Sequence, residues 1–484
     1  MMSSPPIAEF RSFAVDSTAM ESTRNPLIIG AGPAGLTAAL ELVKMGITPR
    51  IFEASGQVGG LARTPTDGDW RVDSGGHRFF TRSEEISELW RSLLPADQWI
   101  SVRRRSAMLV DGRYVRYPLV GRDLLLQLGF RSGSHGLGSF LWSRLRRRVC
   151  PIDESASFRQ WGAEEFGRHW YKLFFDGYVR KTWLTDPDDL ASDWAKQRIK
   201  PISWRLPSDH DPKAEDAFRY PRHGPGQVWE AAAQKLATSG VVPSLNSQVV
   251  AVRFQGNQWT VELQNGETAS GDAVFSSMPL RLLIEALEPT PPQHIRAIAA
   301  NLRHRSLITV AIALSKRYDI PYNWVYTPSR NFRAGRIQNY GRWSSELAPK
   351  NWNGTYLGLE YFTHPDDDLW VASNESLSDT VQQDLRALGV DDSALEHVMI
   401  VRSQFAYPIN DPARERSVAE IREYLRRIHP SLHPMGRNGM HHYDNQDHAM
   451  LSAMRSVDQH FGADVDPWQV NTDPDYHESG LMKS

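Results

Sequence analysis

Hydrophobic and polar positions change period several times along the chain, and each change predicts an element. Residues 27–29 are a short aliphatic run between Pro26 and Gly30, which reads as a buried strand. Residues 34–45 place apolar side chains at helical spacing and stop at Gly46, and residues 48–53 read as a second strand. The opening is therefore a strand–helix–strand unit. Residues 84–94 and 121–148 carry a helical pattern. So does the aromatic-dense stretch 158–200, with a break expected at Asp186-Pro187. Period-two alternation then takes over in 248–254 and 258–264, joined by Gly256-Asn257 as a hairpin, followed by an apolar strand at 272–277. Residues 307–314, 355–362 and 399–405 predict three more strands, and 449–457 a closing helix. This mixture, without an internal repeat, implies an α/β fold with an interposed second domain, and residues 111–215 read as an inserted helical region.

Composition narrows the classes. A chain of 484 residues with 40% hydrophobic and 23% charged side chains has material for two or three domains. The net charge of −2 gives no global attraction to nucleic acid or anionic membranes, and the basic run at 144–148 reads as a solvated helix face. A single cysteine, Cys150, excludes an intramolecular disulfide and a thiolate metal cluster, and fits a reducing, cytoplasmic setting. Residues 1–24 are polar and read as a disordered extension, and those from 463 as a polar tail. The apolar run at 27–45 is interrupted by Gly30, Gly32, Pro33, Gly35 and Glu41, so it is not a membrane span. Sixteen tryptophans supply aromatic walls for a core or a ligand cavity.

The strongest chemistry lies at the two ends of the chain. Gly30, Gly32 and Gly35 form a Gly-x-Gly-x-x-Gly turn between the first strand and its helix, the context in which such a turn cradles a pyrophosphate. Glu53 closes the second strand, where a carboxylate accepts hydrogen bonds from ribose hydroxyls. Gly59, Gly60 and Leu61 follow at once, and residues 73–81 read Asp-Ser-Gly-Gly-His-Arg-Phe-Phe-Thr. Near the other end stand Gly436-Arg437 and Asp447.

Together these segments resemble the FAD proteins of glutathione-reductase type, in the branch that holds amine oxidases, protoporphyrinogen oxidase and UDP-galactopyranose mutase. The resemblance implies a Rossmann-like FAD-binding domain with an inserted helical domain and an antiparallel-sheet substrate region. Gly60 and Leu61 would approach the flavin side of the dinucleotide, His77 the flavin ring, and Val249 the adenine, while Arg437 and Asp447 would close the site. The implied division is 25–110, 216–300 and 409–462 for FAD, 111–215 for a helical lid, and 301–408 for the substrate sheet.

Within that branch several motifs look like the mutase. Gly76-His77-Arg78-Phe79-Phe80-Thr81 resembles its histidine block, although Phe80 replaces a second histidine. Residues 174–183 are similar to its nucleobase helix, which would give Phe174 and Tyr178 to a uracil and Trp183 to a mobile loop. Arg198, Arg336, Tyr361 and Tyr407 match residues that hold the substrate diphosphate. Two guanidinium groups and two phenols suit phosphate oxygens by their own chemistry as well. The resemblance implies a nucleotide-diphosphate sugar as substrate and a redox-neutral ring isomerisation through an adduct at flavin N5, with His77, Arg198 and Arg336 as catalytic groups. FAD would work in its reduced form, with a reductant such as NAD(P)H, in a possible homodimer without metal or nucleic acid. The alternative is an FAD-dependent oxidase or dehydrogenase that transfers hydride and needs no diphosphate clamp. A third class in the branch keeps the fold without the flavin.

Overall fold

The computed structural model describes residues 25–149, 156–190, 192, 199–204, 217–409, 411 and 413–471. Cys150, Arg198 and the segments 1–24 and 472–484 lie outside the described residues.

Four short parallel strands carry the nucleotide end of the molecule. Their order is Leu432–Pro434, Val274–Ser276, Leu27–Ile29, Arg50–Phe52, so the beginning, middle and end of the chain share one sheet. Leu27 is in register with Arg50 on one side and Val274 on the other. Strands buried on both faces read as continuous apolar runs, which holds fully for Leu27–Ile29, while Arg50, Ser276 and His433 each end or interrupt one of the other three segments. The helices Pro33–Lys44, Glu84–Leu93, Gly226–Ala237 and Gln446–His460 pack on one face around Leu36, Trp90 and Trp229. An antiparallel meander of Val249–Gln255, Gln258–Leu263 and Thr268–Gly271 covers the other face with the helices Gln293–Ala300 and Arg414–Ile428.

A seven-stranded sheet forms the second body. Its order is Leu395–Pro408, His304–Leu314, Thr355–Thr363, Arg336–Asn339, Trp324–Tyr326, Ser106–Val110, Arg113–Tyr117. The second strand in this order, His304–Leu314, is buried along its whole length and pairs antiparallel on both sides. Helix Asn374–Ala387 seals one face with Leu377, Val381 and Leu385. Over one end of the other face lies a helical insert, from Gly121–Gln127 and Gly129–Val149 to Phe158–Phe166 and Gly177–Trp183, around Phe158, Phe166 and Trp170.

The helix expected over 121–148 is two helices that meet at Gly129, whose φ of +75° ends the first. The helical stretch expected to break at Asp186-Pro187 stops earlier, at Trp183, because Leu184 takes a left-handed φ of +55°. It also contains a five-residue π-turn, Lys172–Asp176. The boundary expected at residue 111 falls in the turn between Ser106–Val110 and Arg113–Tyr117, and both strands belong to the seven-stranded sheet.

Candidate active site

The glycine-rich turn is built by close approach. Gly30 sits at φ +97°, and a Cβ on Gly35 would fall 1.8 Å from the Gly30 carbonyl oxygen, so helix Pro33–Lys44 can cross its strand only with glycine there. Gly32 caps that helix without a side-chain hydrogen bond, which leaves the positive end of the helix open to an anion. Gly60 packs against it, its Cβ position 3.0 Å from the Gly32 Cα, and Leu61 is half-buried in the short turn Gly60–Ala62. Glu53 accepts hydrogen bonds from the Ala31 amide (2.7 Å) and from the Ser55 amide and hydroxyl (2.9 and 2.8 Å), which fixes its carboxylate at the end of the second strand. Val249 is buried beside Phe52 and Leu263. An open helix terminus, two glycine segments in contact and a fixed carboxylate fit the pyrophosphate and ribose of FAD.

Where the two sheets and the helical insert meet there is a cavity of about 290 Å³. His77 lines it and is held from behind. Its Nδ1 lies 2.7 Å from Asp73 Oδ1, while Asp73 Oδ2 accepts from the His77 amide (2.8 Å) and the Tyr220 hydroxyl (3.1 Å). Burial alone would raise the Asp73 pKa, but the contacts with His77 and Tyr220 outweigh it and hold the carboxyl below its usual range. An ionised Asp73 makes Nδ1 the donor, so Nε2 of a neutral ring is an acceptor.

The opposite wall is cationic. Arg336 is ion-paired through Nε with Glu360 and donates to the Tyr407 hydroxyl at 3.0 Å; Glu360 also accepts from Gln338. Burial opposes the Arg336 charge, but Glu360 and Tyr407 hold its pKa above the ordinary value. Arg305 is built differently. It is 3% exposed, its guanidinium lies 4.2 Å from the Trp183 ring centroid and 5.0 Å from that of Tyr407, and it donates to the Thr182 carbonyl. Among the described residues its Nε has no hydrogen-bond partner and no carboxylate is bonded to it, and burial pulls its pKa down to about 10, so the group stays charged at neutral pH.

The cavity brings together His77, Tyr178, Trp183, Arg336, Tyr407 and Arg437 from the residues expected in the site. Arg437 is fixed by the carbonyls of Asp444 (2.7 Å) and Ala406 (3.0 Å) and lies against the rings of Tyr407 and Tyr443. Four expectations change. Phe174 is fully buried in the helical core and Phe175 lines the cavity instead, because the π-turn alters which side chain faces the sheet. Trp183 ends a helix and lies against Arg305, whereas a loop was expected. Tyr361 faces the other side of its strand, toward Asp384 and the core under helix Asn374–Ala387; its neighbours Glu360 and Phe362 face the cavity side, as period two requires. Asp447 is buried in the first turn of its helix beside His448, and Gln446 lines the cavity. Arg305, Tyr326 and Phe362 were not expected. The one sequence signal for Arg305 is its place, after Arg303 and His304, at the head of the apolar run 307–314.

Residues 33–443 match the family described as flavin containing amine oxidoreductase. An L-amino-acid oxidase of Crotalus adamanteus is 38% identical over 355 residues, 66% of each chain. Protoporphyrinogen oxidase 2 of Arabidopsis thaliana is 26% identical over 175 residues, 35% of this chain. The chain thus spans 34% of the length of the latter relative and 66% of that of the former. In fold, a crystal structure of reduced UDP-galactopyranose mutase superposes with a TM-score of 0.82 at 22% identity, covering 94% of this chain and 99% of that one. With its nucleotide cradle and the match over residues 33–443, the chain belongs to the flavin containing amine oxidoreductase family, whose cofactor is FAD.

Proposed function

We propose that the chain is an FAD-dependent oxidoreductase that takes a hydride from a small organic substrate carrying an anionic group. The observation that carries this reading is Arg305, a buried cation whose Nε has no hydrogen-bond partner among the described residues, in a cavity of about 290 Å³. That volume lies at the lower end of small-molecule sites, which run from about 300 to 1,000 Å³. A carboxylate bound there would satisfy the free donor and neutralise the charge, and the aromatic rings around Arg305 would exclude water. Bound FAD supplies the hydride acceptor. His77 Nε2, aimed by the Asp73 contact at Nδ1, is the proton acceptor for the heteroatom that loses its hydrogen. Arg336, already neutralised by Glu360, orients through its Tyr407 contact and adds little net charge.

A second reading, a redox-neutral isomerase of nucleotide-diphosphate sugars, is favoured by the grouping of Arg305, Arg336, Tyr407 and Tyr178 in one cavity. The Arg336–Glu360 pair and the turned-away Tyr361 weaken the diphosphate clamp it needs. Anaerobic mixing of FAD-loaded protein with L-amino acids and 2-hydroxy acids separates the two. Bleaching of the flavin by a carboxylate substrate is expected. Isomerisation of a nucleotide sugar by pre-reduced protein, with no bleaching by any acid, would replace this reading with the second.

A further inference from the structure

Helix Gly129–Val149 is 21 residues long and is bound to the rest of the molecule by one narrow face of Gly133, Gly136, Phe140 and Ser143. Gly136 lies so close to Trp170 that a Cβ would fall 1.9 Å from the indole Nε1. The opposite face is apolar and exposed. Leu141, Leu145 and Val149 follow one another at helical spacing with Trp142 beside them, Phe130 lies three turns earlier on the same side, and Phe130 and Trp142 are 88% and 68% exposed. At 100° per residue these five fall within an arc of about 120° away from the buried face, which they share with Arg131, Ser134, Gly138 and Arg148. Single exposed hydrophobes need no explanation, but the grouping of Leu141, Trp142, Leu145 and Val149 over the last turns of one helix marks a contact surface. Leu126, on the preceding helix, is exposed as well.

The charged side chains of the helix have one sign. Arg131, Arg144, Arg146, Arg147 and Arg148 all lie on this helix, and residues 124–149 contain no aspartate or glutamate. Two carboxylates from the neighbouring helix answer three of these five cations: Glu165 meets Arg144 and Arg147, and Glu164 meets Arg146. The basic run that reads in the sequence as a solvated face is thus interleaved with exposed apolar side chains.

From this juxtaposition we infer that helix Gly129–Val149 lies in the plane of an anionic lipid surface, with Phe130, Leu141, Trp142 and Leu145 among the acyl chains and its arginines on the lipid phosphates. In-plane helices of this kind join an apolar face with tryptophan and phenylalanine to a border of arginine and lysine, whose stems reach the headgroups. A second copy of this chain fits poorly, because a two-fold contact through the face would bring Arg131 and Arg148 against the arginines of the other copy. A nucleic acid would answer the arginines and leave the apolar centre of the arc wet. Insertion across a bilayer is not implied, since no helix among the described residues is long and apolar enough to cross a membrane.

The test is co-sedimentation of the FAD-loaded full chain with vesicles of phosphatidylcholine containing roughly a third phosphatidylglycerol, against phosphatidylcholine alone. Binding to the anionic vesicles, weakened by salt, is expected. Trp142→Ser with Leu145→Ser, and separately Arg146→Gln with Arg148→Gln, should each lower the bound fraction about tenfold or more, with flavin absorbance and melting temperature unchanged. Phe130→Ser gives the same reading if the first pair fails to fold. No binding to anionic vesicles, or binding that all the variants retain, overturns the inference. So does heparin binding lost only in the arginine variant, or a change from dimer to monomer in the apolar variant without lipid binding.

Discussion

Asp73 and Arg305 meet opposite electrostatic problems in the same cavity. Asp73 is buried but surrounded by donors, so its charge is stabilised and passed on as a fixed orientation of His77. Asp73→Asn keeps the shape and removes the charge that selects the Nδ1–H tautomer. Turnover should fall by roughly 10²–10⁴-fold, the range for general acid–base groups, with flavin binding retained and the acidic limb of the pH–rate profile displaced. An unchanged pH profile would remove His77 from the proton transfer. Arg305 is buried with a donor free, so its partner should arrive with the substrate. Arg305→Leu should raise KM for an acidic substrate about 10–200-fold, matching about 1.5–3 kcal/mol for a hydrogen bond to a charged group, and leave KM for an uncharged analogue nearly unchanged. Equal losses for both would argue that the residue only supports the wall. The sequence revealed His77, Arg336, Tyr407 and Arg437 through local motifs, because each sits in a segment whose neighbours also line the site. Tyr361 and Phe174 misled because strand parity and a π-turn are settled by tertiary packing. Arg305 stayed hidden because its partners, Trp183 and Tyr407, lie far away in sequence.

Helix Gly177–Trp183 holds Tyr178, Val179, Thr182 and Trp183 against the cavity, so its attachment to the sheet determines the shape of the site. Two contacts make that attachment. The Gly177 backbone touches the loop after Trp324–Tyr326, where a Cβ would meet the Pro328 carbonyl oxygen at 2.1 Å. Lys181 Nζ donates to the carbonyls of Thr327 (2.6 Å) and Ser329 (2.5 Å). Gly177→Ala should therefore push the helix outward, costing about 1–3 kcal/mol as overpacking does, with a lower melting temperature and weaker substrate binding together. Burial pulls the Lys181 pKa down from 10.5 to about 8. The unfolded chain then binds more protons than the folded one between pH 8 and 10.5, so this group makes stability rise with pH across that window. Lys181→Met should flatten that rise relative to the parent in denaturant titrations; parallel curves would mean the ammonium is not penalised. The strongly periodic elements at 34–45 and 84–94 and the Gly256-Asn257 hairpin were legible in the sequence. Arg113–Tyr117 and Arg336–Asn339 were not, because short strands with charged residues carry little periodicity and form through their neighbours.

At the scale of the molecule, the parallel sheet joins Leu27, Val274 and Leu432, and no local pattern in the sequence announces those pairings. Histidines gather where such distant segments meet. His433, in the last strand of that sheet, stacks on Phe275 with ring centroids 4.9 Å apart and lies 3.0 Å from His460. His304 opens the fully buried strand His304–Leu314 of the large sheet and faces His441 of the C-terminal segment at 4.5 Å between rings, so this pair spans the junction of the two bodies. Burial lowers all three pKa values, to about 4 for His304, about 3 for His433 and about 2 for His441, with the neighbouring cationic groups adding to the effect. The folded chain keeps these rings neutral while the unfolded chain takes up protons below about pH 6.5, so the stability they provide is complete above pH 6.5 and is lost as pH falls toward the folded values. Linkage puts the loss at about 2 kcal/mol by pH 5 for a single such group. The melting temperature of the FAD-loaded protein should therefore drop between pH 6.5 and 5, before most carboxylates titrate. His304→Leu and His433→Leu together should make that drop shallower even if they lower the melting temperature at pH 7.5. A parent curve flat across the window, or a variant curve of equal slope, would show that the histidines at these seams do not govern acid stability.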